Sequence, residues 1–187
     1  MNVQQEHKNL DEVFQRLWND VEACLPYITT EAPDNPFRRH YLRGLCSFVE
    51  AIGYQLRQIL IAGGGTGEFN LSAGDVAVLR EVNFVPDDSG KVKERALFHG
   101  TVPLLKFTLK CFAQQHGIGE ELQERLGLDG WGKLKDTIGL RNGITHPKEP
   151  AELQITMEQL ETVKLAADWF SDVALLLIEK HFEDDTE

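Results

Sequence analysis

An all-α chain, folded as an antiparallel bundle of five to seven helices, is predicted by three observations. Apolar residues recur at three- and four-residue steps over most of the 187 positions. Capping residues, prolines and glycines fall where those runs begin and end. No alternating run suggests a sheet, apart from a short stretch near 83–95 that reads as a small hairpin or a loop insertion.

Leu10, Val13, Phe14, Leu17, Trp18, Val21 and Leu25 define a first amphipathic helix that Pro26 ends. Pro33, Asn35 and Pro36 make a loop. A long helix starts near Phe37 and carries Tyr41, Leu42, Leu45, Phe48, Val49, Ile52, Leu56, Ile59 and Leu60. Glu50 interrupts its surface, either as a solvated carboxylate or as a partner for Arg43 or Arg141. Gly63-Gly64-Gly65-Thr66-Gly67 lacks the Lys-Ser/Thr and the preceding strand of a phosphate loop, so it reads as a flexible linker. Ser72 and Asp75 form a capping box for a short helix running to Val82, and Pro86-Asp87-Asp88-Ser89-Gly90 is a turn.

Thr101 and Pro103 open the next helix, and Gly117 ends it. His99 and His116, at its two ends, read as polar end residues. A short helix near Glu120 to Leu126 leads through Asp129-Gly130 into one bearing Trp131, Leu134, Ile138 and Ile144, which Pro147 stops. On it Gly139 and Gly143 share a face, the arrangement expected where another backbone approaches closely, from this chain or a second copy. Thr156 and Gln159 cap a last helix with Leu160, Val163, Ala167, Phe170, Val173, Leu177 and Ile178 on its stripe, widened by Trp169, Leu175 and Leu176. Its apolar girth suits the centre of a bundle or a dimer interface. His181-Phe182 and the acidic tail 183–187 are expected to fray into solvent as disordered chain. One domain, 1–187, accounts for the whole length.

Composition narrows the function classes. With no long apolar run and no signal-peptide core at the N-terminus, a cytoplasmic protein without membrane contact is expected. Cys24, Cys46 and Cys111 are widely spaced in apolar patterns and read as free thiols, and no Cys or His pair has metal-ligand spacing, so no metal or other cofactor is expected. A net charge of −11 counts against a general nucleic-acid binder. The charge is uneven, however. Lys133, Lys135, Arg141 and Lys148 with the single acid Asp136 give the segment 131–148 a charge of +3, and Arg38-Arg39-His40 with Arg43 forms a second basic knot.

The segment Leu140 to Lys148 concentrates the chemistry. Arg141 and His146 lie at the C-terminal end of a helix, where cations are favoured by the unpaired carbonyls. Asn142 precedes His146 by four residues, a spacing that lets its amide orient the ring. Arg141 precedes it by five, about 140° around an ideal helix. The two therefore converge only if the last turn unwinds or a second chain contributes.

Arg141-Asn142, three residues and His146, closing a helix in an all-helical chain, resemble the signature of the HEPN superfamily, in which Arg is followed by four to six residues, the first usually polar, and then His. The resemblance implies a bundle that dimerises so that two motifs face each other, forming a metal-independent ribonuclease, often a toxin or defence effector. It implies Arg141, His146 and Asn142 as the catalytic set. Lys148 and Lys133, with Arg39 and Arg43 from the second knot, are the expected phosphate contacts. The expected partners are a second copy, RNA and a cognate antitoxin or other protein. The competing class is a non-catalytic helical module that binds a nucleotide or a protein partner, with Arg141 paired to a core carboxylate and His146 merely capping a helix.

Overall fold

A computed structural model describes residues 3–29, 32 and 34–184. Seven α-helices appear among them: α1 (Val3–Ala23), α2 (Pro36–Thr66), α3 (Ala73–Leu79), α4 (Thr101–Gln115), α5 (Gly119–Gly127), α6 (Gly130–Thr145) and α7 (Met157–Asp184). Two strands, β1 (Val82–Pro86) and β2 (Val92–Ala96), pair antiparallel with Phe84 opposite Glu94. The fold is therefore an all-α bundle with one small hairpin. Among the described residues no helix is long and apolar enough to cross a membrane.

The bundle is organised on α2, which packs against α1, α4, α6 and α7, while α6 and α7 pack on each other. Its apolar stripe explains this. Tyr41, Leu42, Leu45, Phe48, Val49, Ile52, Leu56, Ile59 and Leu60 are all buried. Phe48 meets Phe14 of α1 edge-on at 5.3 Å and Phe170 of α7 at 5.6 Å, so one aromatic chain ties three helices. Helix α7 is apolar on most sides, as expected, although Leu175 faces solvent.

Local signals set several ends. Asn35 caps α2 by accepting from the Phe37 N–H at 2.9 Å, and its amide donates to the Tyr27 carbonyl. Ser72 and Asp75 form the capping box of α3, and Thr156 with Gln159 forms that of α7. Gly117, at φ 70°, ends α4.

Four expectations are corrected. The glycine run is not a linker, because α2 continues to Thr66 and only Gly67, at φ 83°, leaves the helix as its left-handed cap. The returning chain lays Phe69 against Gly63, where a Cβ would lie 2.3 Å from the ring. Gly63 and Gly64 are thus a packing surface for Phe69 and Leu71, and there tertiary contact outweighs their low helix propensity. Leu25 is not on the stripe of α1, since the helix stops at Ala23 and Leu25 begins a single 3-10 turn. Helix α3 ends at Leu79, short of Val82, which belongs to β1. His181 does not fray: it is 1% exposed, and its Nδ1 lies 3.1 Å from Nε2 of buried His116. Of the tail, 183 and 184 continue α7, and 185–187 lie outside the described residues.

Candidate functional site

The motif closes α6, whose Trp131, Leu134, Thr137, Ile138 and Ile144 are buried against the bundle. That burial fixes the rotation of the helix. Asn142 and His146 are exposed, whereas Arg141 is half-buried. The helix stays regular through Thr145, and His146 leaves it at φ −128°, ψ 58°, as the proline that follows requires. The last turn does not unwind, so Arg141 and His146 remain on different sides of α6 within one protomer.

Arg141 is directed towards α2. Its guanidinium forms an ion pair with Glu50, and its charge bears on Cys46 one turn earlier. Burial pushes the Cys46 thiol up, and the hydrogen bond and charge of Arg141 pull it part of the way back. Glu50 is both things the sequence allowed, a solvent-exposed carboxylate and the partner of Arg141. The expected Asn142 to His146 contact does not form. Among the described residues neither side chain has a hydrogen-bond partner, so both are open to a ligand or a second chain.

The basic knot does lie beside the motif, in a different role from the one expected. Arg38 is 1% exposed and donates to the Ile28 carbonyl at 3.3 Å, to the Ile155 carbonyl at 2.6 Å and to the Met157 sulfur. Arg39 donates to the carbonyls of Asp34 and Leu153 at 3.0 and 3.1 Å. Arg43 is exposed and reaches the Ile144 carbonyl at 3.5 Å, within the last turn of α6. The knot thus fastens the start of α2 to the chain between 144 and 157, with Arg43 the loosest and most open member. Lys148 is exposed next to the motif, and its backbone N–H donates to Glu152. Lys133 is corrected. It sits in the first turn of α6, ion-paired with Asp129 at 3.6 Å, about 20 Å along the axis from His146, and does not belong to this site.

The glycine expectation also changes. A Cβ at Gly139 or Gly143 would meet nothing within 4 Å, so no described part of this chain approaches that face. It opens instead on a groove between α6, the segment 150–156 and the start of α7. Among the described residues no three His, Cys, Asp or Glu side chains gather as a metal-binding group. The group that sequence reasoning misses is Glu152, which accepts from the Lys148 N–H, whereas Glu50 is among the partners the sequence offers for Arg141. The Glu152 contact is local, four residues apart, while the Glu50 pair spans 91 residues, and Glu50 shows in the sequence as a charge within an apolar run.

No protein-family model, no curated protein and no solved structure matches the chain. The class defined so far is an α-helical bundle with a cationic, histidine-bearing helix end.

Proposed function

We propose that the protein is a metal-independent endoribonuclease of the toxin or defence type, acting in the cytoplasm as a homodimer whose site is completed by two copies of the Arg141, Asn142 and His146 motif. The observation that carries this reading is the pair of exposed, unbonded side chains Asn142 and His146 at the end of α6, with Arg43 reaching the same turn and Arg141 part open beside it. Cleavage without a metal needs a base for the 2′-hydroxyl, a cation for the phosphorane and an acid for the leaving 5′-oxygen. An imidazole titrates close enough to neutrality to be either base or acid, and the guanidiniums supply the cation. One imidazole does not fill both roles in one step. The angular separation of Arg141 and His146 asks for the same solution, a second copy whose His146 meets the first copy's Arg141.

A second reading is favoured by one observation, the Arg141–Glu50 ion pair, which occupies the cation a phosphate would need. On that reading the chain is a non-catalytic helical module that binds a nucleotide or a protein partner. The test incubates purified protein with mixed RNA in excess EDTA, beside Arg141→Ala and His146→Ala. Cleavage that both substitutions abolish, with the dimer intact by light scattering, supports the ribonuclease. Intact RNA in every lane overturns it in favour of the module.

A further inference from the structure

Glu50 holds Arg141 and also lines a separate pocket of about 300 Å³. Glu50, Tyr54 and Arg57 reach this pocket from α2, at the four- and three-residue steps that keep side chains on one face. The two feet of the hairpin supply Glu81 and Phe98. Between those feet the Leu97 N–H donates to the Glu81 carbonyl at 2.7 Å, which holds them together. All five side chains reach solvent.

Two kinds of group open on the pocket. Tyr54 is 49% exposed and Phe98 88%, and among the described residues neither ring packs on another aromatic ring, whereas the exposed Tyr27 and Phe37 stack at 4.9 Å. The Arg57 guanidinium lies 5.8 Å from the centre of the Tyr54 ring and donates to Glu81 at 2.9 Å. Both members of that pair are part open, and a guanidinium has more N–H groups, and a carboxylate more lone pairs, than one such bond uses. A phosphate is disfavoured, because two carboxylates accompany one guanidinium that is already paired. So is a metal ion, since among the described residues no three His, Cys, Asp or Glu side chains gather. Aromatic faces beside a donor and an acceptor suit an unpaired nucleobase, whose ring stacks and whose edge hydrogen-bonds.

We propose that this pocket seats one unpaired base of the RNA, its face on Tyr54 and Phe98 and its edge on Glu81 and Arg57. The inference deepens the ribonuclease reading and rests on it for RNA as the ligand. Tyr54 stands one helical turn, about 6 Å along α2, from the residue that holds Arg141. A phosphate on Arg141 and a base in the pocket therefore belong to one short stretch of strand. Carboxylates only accept, so Glu50 and Glu81 favour a base with an exocyclic amine, such as adenine, over uracil.

The test is fluorescence anisotropy of short labelled 2′-O-methyl oligoadenylate and oligouridylate, which lack the attacking hydroxyl, with the full chain in EDTA at low salt. Cleavage of mixed RNA is followed beside it. Oligoadenylate is expected to bind more tightly than oligouridylate. Tyr54→Ala and Phe98→Ala, at exposed positions that leave the fold intact, should each weaken it about tenfold, and Tyr54→Phe should keep it. Glu81→Gly suits the φ of 53° there and should bring the two oligomers to about equal affinity. Unchanged affinity in both alanine variants overturns the inference, while the ribonuclease stands if the wild type cuts RNA. Binding that depends on Tyr54 without any cleavage keeps the base pocket and overturns the ribonuclease. No binding of either oligomer, or adenosine monophosphate binding as tightly as oligoadenylate, overturns the seating of a strand.

Discussion

Replacing Glu50 by Gln is the most informative change near the motif, because it removes a charge while keeping size and one acceptor oxygen. The side chains of Arg141 and Glu50 are 24% and 46% exposed, so solvent and salt screen their attraction. Pairs of this kind contribute about 0.2–1 kcal/mol, and the melting temperature should scarcely move. That same energy is what a phosphate must overcome to take Arg141. Removing the competitor should strengthen RNA binding by up to about fivefold, since 1.4 kcal/mol corresponds to a factor of ten. The assay is fluorescence anisotropy of a short labelled RNA in EDTA, at low and at moderate salt, in the wild-type and Arg141→Ala backgrounds. The gain should appear with Arg141 present and vanish without it. An equal gain in both backgrounds would mean that only net charge had changed. Weaker binding after Glu50→Gln would mean that the carboxylate positions Arg141 for RNA, and either result refutes the competition argued here.

Three further outcomes follow from packing and charge. Arg38→Leu takes the donor from two carbonyls at a fully buried position and should cost about 2–5 kcal/mol in urea unfolding, with a midpoint shift at unchanged slope. Gly130→Ala would place a methyl 2.0 Å from Cγ of Trp169, so the ring must move from its bond to the Arg125 carbonyl; a loss of about 1–3 kcal/mol with an altered tryptophan emission spectrum is expected. The Asp87 carboxyl, held down to about 2 first by the Ser89 hydroxyl, then by Lys93 and the Lys91 N–H, lies below its unfolded value of 3.8. Its support of the hairpin turn is therefore complete above about pH 4 and lost as pH falls through 2, which amide exchange at Ser89 and Lys91 will follow.

The helices were legible because burial writes itself as periodicity: every stripe residue of α2, from Tyr41 to Leu60, is buried. Caps were legible too, since Ser72 with Asp75 and Thr156 with Gln159 are short-range interactions. The glycine run misled because the reason for it, Phe69 lying on Gly63, comes from chain that has not yet returned. Arg38 misled for the same reason, as its carbonyl partner at Ile155 is 117 residues away. Lys133 misled because counting charge along a segment ignores the length of the helix that spreads it. His181 has no sequence signature distinguishing it from a fraying end, yet it packs against His116 and Phe112.

What the sequence reads as one basic knot is, in three dimensions, a graded set. Arg38 is sealed in by its bonds to buried carbonyls, Arg39 is held by two carbonyls at normal hydrogen-bond distance, and Arg43 keeps one long contact while facing solvent. The first two fasten the chain after the motif to the start of α2, so they place His146 without touching a ligand. Only the third has donors left over for a phosphate. Arg43→Ala should then lower the magnitude of the salt slope of RNA binding by about one and leave stability within about 0.5 kcal/mol. Arg39→Ala should leave the slope unchanged and cost about 1 kcal/mol in unfolding. If the two substitutions reduce the slope equally, the knot acts as an undivided electrostatic patch, and the division of labour argued from these bonds is wrong.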